Sequence, residues 1–218
     1  MSSEHMIPPN VGERDAELLR RAYGLSDMAE SAQLYTEWAE TYDQTMVDGL
    51  GYLSPKHLGD LLAGVVQWRD RPVADLGCGT GLVAAGLAEH GFSVFDGIDL
   101  SLAMTGVAAR RGIYRRFIAA DLTATLPIAA NSYGAAICSG TFTSGHVGAE
   151  SLAEIVRIIE PGGVLCCAVN HAVWDEMGFA TTFADMVATG TLAPISVERV
   201  AFYATSTDDG RHCAFRKL

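Results

Sequence analysis

The chain has 218 residues, 49% apolar and 19% charged, a composition that fills a sizeable core and excludes a disordered or fibrous chain. Its net charge of −11, with Arg110-Arg111 and Arg115-Arg116 as the one basic cluster, argues against nucleic acid as a partner, because such binding rests on neutralising phosphates. No apolar run approaches the ~20 residues of a membrane helix, and the five cysteines are odd in number with no metal-ligand spacing, so no membrane and no metal is expected.

The opening residues lack the basic-then-apolar order of a signal peptide, which with reduced thiols points to a cytoplasmic protein. Residues 1–14 read as a disordered tail and 15–218 as a single domain, divided into a helical cap (15–70) and a core (71–218). In the cap, Tyr35, Trp38, Ala39 and Tyr42 recur at three- and four-residue steps and share one helix face. Ser54-Pro55 reads as an N-cap followed by proline in the first turn. Beyond Arg71-Pro72 the grammar changes to short apolar runs alternating with helical segments. Strands are expected at 73–76, 93–98, 117–119, 134–138 and 164–169. Helices are expected at 82–90, 102–109 and 149–159. This alternation implies a parallel sheet with right-handed crossovers. Strand-like runs at 196–204 and 212–215, around the turn residues Asp208-Asp209-Gly210, predict a terminal antiparallel hairpin. The basic cluster, at the end of the second core helix, reads most simply as a solvated helix end.

The segment Asp75-Leu76-Gly77-Cys78-Gly79-Thr80-Gly81 follows a strand and opens a helix. Its glycines, Gly81 included, allow a tight turn and close approach of backbone to a ligand, and a helix N-terminus favours an anionic group. A tight turn with no ligand would have the same pattern. Two more features lie in register with it. Asp99, in Gly97-Ile98-Asp99-Leu100-Ser101, stands where an acid accepts from a ribose diol, unless it serves as a helix cap. Asp121-Leu122 follows the third strand, where a carboxylate is placed to accept from an adenine amino group. All three sit at the C-terminal edge of consecutive strands, the ligand side of such sheets.

With its Gly-x-Gly-x-Gly order preceded by an acid, Asp75 to Gly81 resembles motif I of class I S-adenosylmethionine-dependent methyltransferases. Asp99 resembles their ribose-binding acid, Asp121-Leu122 their adenine-side motif, Cys138-Ser139-Gly140 the segment after strand four, and Pro161-Gly162-Gly163 the turn before strand five. The resemblance runs from about Val73 to the C-terminus. A closer one covers nearly the whole chain: Tyr35-Thr36-Glu37-Trp38-Ala39-Glu40-Thr41-Tyr42-Asp43 is similar to the methyltransferase-like family of the Williams–Beuren syndrome region. The fold implied is a Rossmann-like α/β sandwich, a mostly parallel seven-stranded sheet with a C-terminal antiparallel hairpin and an N-terminal helical cap. The cofactor implied is S-adenosylmethionine, with S-adenosylhomocysteine as product.

The resemblance implies that backbone at Gly77, Cys78 and Gly79 contacts the methionine moiety and that Asp75 binds its ammonium, directly or through water. Asp99 would hold the ribose, with Leu100 beside the adenine and Asp121 and Leu122 on its edge. Ser139 and Gly140 would lie near the sulfonium. Met104 stands near the adenine or simply packs its helix. Tyr35 and Tyr42 close the pocket over the sulfonium or pack on the sheet, and Trp38 is expected in the core.

Methyl transfer needs in-line alignment and exclusion of water, with a general base where the acceptor arrives protonated. His146, after the loop that follows strand four, is the first candidate base. His171, with Asn170 after strand five, is the second. Phe142, Trp174 and Phe179 are candidates to line an acceptor pocket, with 174–188 as a lid. The absence of an Asn-Pro-Pro-Tyr type signature argues against amino-methylation of nucleic acids without identifying an acceptor; with the acidic net charge, a small-molecule acceptor is the default expectation. Monomer and homodimer stay open. Two rivals are a non-catalytic, cofactor-binding regulatory or partner protein and a nicotinamide-dependent oxidoreductase; the latter lacks the usual pyrophosphate loop and a Tyr-x-x-x-Lys dyad.

Overall fold

The computed structural model describes residues 11–24, 28–144, 146–204 and 209–218. Most of the expected tail, Gly145 and Asp208 lie outside them. The cap is built from α1 (Glu13–Tyr23), α2 (Met28–Trp38), a π-helical turn (Gln44–Gly49) and α3 (Ser54–Val65). The apolar stripes of the first three meet each other, with Leu18, Leu19, Leu34, Trp38, Met46 and Leu50 forming a separate buried cluster, while α3 packs on the sheet. Helix α1 starts two residues inside the expected tail.

The core alternates as its pattern requires. In chain order come β1 (Val73–Leu76), α4 (Leu82–Glu89), β2 (Phe95–Ile98), α5 (Leu102–Ala109), β3 (Tyr114–Ile118), β4 (Tyr133–Phe142) and α6 (Leu152–Ile158). Then follow β5 (Ile159–Asn170), α7 (His171–Trp174), α8 (Phe179–Ala188), β6 (Leu192–Ala201) and β7 (Asp209–Lys217). The sheet order is β3-β2-β1-β4-β5-β7-β6. The first five strands pair in parallel, and β7 runs antiparallel to both neighbours, giving the expected terminal hairpin. Successive side chains of a strand face opposite sides. Ala74 and Leu76 therefore pack with Leu152, Ile155 and Phe179, while Val73 packs with Leu58, Leu62 and Leu87.

Several boundaries differ from the sequence reading, each for a physical reason. Ser54 is the first helical residue of α3 rather than its cap, because its Oγ turns to His212 Nε2 at 2.6 Å in a buried pair. The helix expected over 149–159 is a 3-10 turn at Ala149–Ser151 followed by α6, and Ile159 has already joined the sheet opposite Tyr133. Pro161 accounts for this, since the residue before a proline is driven out of the helical region. Strand β3 is shifted toward the N-terminus, and β4 extends to Phe142. The basic cluster is a solvated helix end only in part, since Arg110 caps α5 and is exposed. Arg115 and Arg116 lie in edge strand β3 and both bond the fully buried Asp96, which also accepts from Tyr133 Oη at 2.7 Å. Arg110 forks onto Glu40, and Arg111 reaches Asp43. Among the described residues no helix is long and apolar enough to cross a membrane.

Candidate functional site

Strands β1 and β2 end level with each other, Leu76 opposite Ile98, and the chain turns beyond them into a cleft at the C-terminal edge of the sheet, where such folds bind ligands. The glycine loop forms the floor. Gly77 stands at φ +63°, where an added Cβ would meet Thr141 Oγ1, and Gly97 lets β2 lie against the Phe117 ring and Cys78 Sγ. In both places a side chain would displace the loop.

The loop satisfies itself. Gly77 and Cys78 donate to the Ile98 carbonyl, Gly81 donates to Cys78, and Gly79 donates to Asp99 Oδ2 at 2.8 Å. Asp99 Oδ1 accepts from the Ser101 amide at 2.8 Å. A carboxylate has about four lone-pair sites, so each oxygen keeps capacity toward the cleft that Asp99 lines. Burial raises the Asp99 carboxyl above its ordinary range, against the backbone donors that hold it down. Ser101 caps α5, accepting from the Met104 amide.

Of the residues singled out from sequence, Gly77, Cys78, Gly79, Asp99, Leu100 and Met104 line this cleft. Leu122, Ser139, Gly140, Tyr35, Tyr42 and His146 do so as well. Four do not. Asp75 is 1% exposed beneath the loop, where it accepts from Tyr114 Oη at 2.6 Å and from the Ala84 amide in the first turn of α4. The anion expected at that helix N-terminus is thus supplied by the protein itself. Burial pushes the Asp75 carboxyl up to about 7. Gly81 caps α4 against Tyr114 and Arg111. Asp121 turns back on its own loop, accepting from the amide and hydroxyl of Thr123. His171 is exposed at the start of α7.

The expected acceptor residues are also elsewhere. Phe142 and Phe179 are fully buried, with ring centroids 4.9 Å apart, and Trp174 stacks on Phe183. They fill the core on the α6–α8 side, and α8 packs on the sheet rather than forming a lid.

The roof is aromatic. Tyr35, Trp38 and Tyr42 contact one another, with the Trp38 and Tyr42 rings edge to face at 5.0 Å. Trp38 is buried in the cap cluster, as expected. The cap is fastened to the floor: Asp43 accepts from Thr80 Oγ1 and from Arg111 Nη2, while Arg111 Nε donates to the Thr80 carbonyl at 2.7 Å. Sequence reading missed Tyr52, whose hydroxyl lies 3.1 Å from Ser139 Oγ and whose ring stacks on Tyr203. Burial pushes the Tyr52 phenol up to about 12. His146 Nδ1 lies 3.0 Å from the Ser144 carbonyl, which can only accept, so that nitrogen carries the proton. Nε2 is then a lone pair, held by Tyr35 Oη at 3.2 Å. Burial lowers the His146 pKa, so the ring is neutral near pH 7.

The donor set suits a positively charged nucleoside derivative. Among the described residues the one formal charge lining the cleft is the acidic Asp99, tyrosines roof it, and no Lys or Arg is there to neutralise a pyrophosphate. No group of three His, Cys, Asp or Glu converges among them as a metal site would require.

A family model described as a methyltransferase domain matches residues 74–167. With the sheet order and the glycine loop on which it lies, this match places a methyltransferase domain of the class I, Rossmann-like type in the chain. Within that class it is similar to methyltransferase-like protein 27 of Homo sapiens, with 32% identity over 151 residues, 68% of this chain and 61% of that protein. It is also similar to demethylmenaquinone methyltransferase of Renibacterium salmoninarum, with 38% identity over 96 residues, 44% of this chain and 40% of that one. The chain therefore spans about three-fifths and two-fifths of these relatives. In fold it matches the methyltransferase chain of a complex with the Haloferax volcanii Trm112 methyltransferase activator, at 20% identity and TM-score 0.66 over 84% of this chain and 97% of that one.

Proposed function

We propose that the chain transfers the methyl group of S-adenosylmethionine to a small-molecule acceptor. The observation that carries this reading is the cleft at the strand ends, with a single acidic side chain, Asp99, facing it beneath an aromatic roof. Asp99 holds the ribose hydroxyls with the lone pairs that Gly79 and Ser101 leave over. Leu100, Met104 and Leu122 flank the base, and the Tyr35 and Tyr42 rings cover the sulfonium and keep water out. Bound S-adenosylmethionine supplies an electrophilic methyl group on positively charged sulfur. His146 Nε2 takes the acceptor's proton where the acceptor arrives protonated. The small-molecule acceptor is supported by the net charge of −11, by the ion pairing of all four clustered arginines, and by the relative named for a quinone precursor.

Calorimetric titration with S-adenosylmethionine and S-adenosylhomocysteine, on the wild type and on Asp99→Ala, tests the reading. Micromolar binding that the substitution removes is expected. A folded protein that binds neither ligand refutes it. Binding without turnover on any metabolite extract would return the chain to the non-catalytic alternative.

A further inference from the structure

A second hollow adjoins the first, and the two share Tyr35, Tyr42, Tyr52, Gly140 and His146 in their walls. Most of its remaining apolar wall comes from two distant parts of the chain, and Thr143, Ser144, Asn170 and Ala172 complete it beside the ends of β4 and β5. Leu19, Trp38 and Met46 belong to the cap, and Phe202 and Tyr203 follow β6. The two parts are joined by backbone: Leu53 donates to the Phe202 carbonyl at 2.8 Å and Ala204 to that of Gly51 at 2.9 Å.

We infer that this hollow is the acceptor chamber and that it takes an uncharged, flat, ring-bearing molecule carrying one hydroxyl as the methylated group. The inference rests on the proposed methyl transfer. Its first ground is charge. Among the described residues no Asp, Glu, Lys or Arg lines the hollow, so a carboxylate or ammonium entering it would lose its hydration and meet no counter-ion there. Shape is the second ground, for the rings of Trp38, Tyr52, Phe202 and Tyr203 offer flat apolar surfaces, with the neutral polar groups of Thr143, Ser144 and Asn170 at their margin. The third is the junction with the first cleft. The lone pair of His146 Nε2 lies there, already occupied by a hydroxyl, that of Tyr35. An acceptor hydroxyl replaces Tyr35 Oη on that nitrogen. Its oxygen then bonds the methyl carbon as the carbon–sulfur bond breaks, the electron pair of that bond stays on sulfur, and the hydroxyl proton passes to Nε2.

The experiment uses three probes of one shape: 2-naphthol, 2-naphthoate and 2-naphthylmethylammonium. Each is titrated calorimetrically into protein saturated with S-adenosylhomocysteine, for the wild type and for Ala172→Phe. Ala172 lines the second hollow and not the first, and it is exposed at the start of α7, so a larger side chain there fills the hollow without entering the core. The expected result is that 2-naphthol binds at least tenfold more tightly than either charged probe. Ala172→Phe should weaken that binding at least tenfold and leave S-adenosylhomocysteine affinity within twofold. If S-adenosylhomocysteine itself does not bind, the proposed function falls. If it binds while 2-naphthol does not, or binds no better than the charged probes, or ignores Ala172→Phe, the chamber assignment falls alone.

Discussion

Gly77 is the residue of the glycine loop whose replacement has a cost that can be divided into parts. Its φ of +63° places it in the left-handed region, and a Cβ there would collide with Thr141 Oγ1. In Gly77→Ala the backbone term costs about 1–2 kcal/mol. Displacing Thr141, buried at 9% exposure, adds about 1–3 kcal/mol of overpacking. The sum, about 2–5 kcal/mol, is a large part of the ~5–15 kcal/mol that holds a native domain together. At a urea slope of ~2 kcal/mol per M it lowers the midpoint by about 1–2.5 M. Thr141→Ala removes the obstructing oxygen, whose bond to the Leu76 carbonyl is long at 3.4 Å and so costs little to lose. The double variant should recover the overpacking part and keep the backbone part. Urea melts of the four proteins then give a coupling of about 1–3 kcal/mol, with the double variant more stable than the sum predicts. Additivity within ~0.5 kcal/mol would refute the steric account of this glycine.

Three further outcomes follow from the site. Asp43→Asn loosens the tie between cap and glycine loop; S-adenosylhomocysteine should dissociate severalfold faster in stopped flow while stability changes by no more than ~1 kcal/mol, since the ion pair is partly exposed, and an unchanged release rate would eliminate the latch. Burial holds His146 below its ordinary ~6.5, so wild-type methyl transfer should fade only beneath about pH 6.5, and His146→Gln should abolish that limb and slow transfer ~10²–10⁴-fold; identical pH–rate profiles would remove His146 as base. His212 is held at about 4 by burial against ~6.5 unfolded, so between those values the unfolded chain binds the extra proton and the contribution of His212 to stability declines as pH falls, by about 3 kcal/mol in all. The stability gap between wild type and His212→Gln should shift by that amount between pH 7 and 4 in urea melts, and a constant gap contradicts it.

What sequence revealed and what it concealed divide along chain separation. The strand-helix alternation, the glycine loop and the placing of Asp99 are local patterns, and each has a local cause in periodicity, turn geometry or strand ends. The floor of the cleft was legible for that reason. The burial of Asp75 was not, because its partners are not local: Tyr114 reaches it across the sheet from 39 residues away and braces it under the loop. Phe142, at the end of β4, could face cleft or core on pattern alone, and pairing with Val169 on β5 sets it in the core. Tyr52, Phe202 and Tyr203 gave no sequence signal at all. They become wall residues only because an isolated bridge joins Tyr52 to Tyr203, a tertiary contact between segments with no shared period.

The two hollows share their aromatic partition but not all of their walls, and this decides which substitutions can separate their roles. Tyr35, Tyr42, Tyr52 and His146 face both, so a change at any of these alters cofactor and acceptor together. Asp99 belongs to the first hollow and Ala172 to the second. Among the described residues the first contains the one formal charge, which suits a cationic ligand, and the second contains none. Electrostatics therefore sorts the two ligands before shape does: a cation gains from Asp99 in one, and any ion loses its hydration without compensation in the other. On the proposed function, this asymmetry is what keeps the charged cofactor out of the acceptor chamber although the two spaces are continuous.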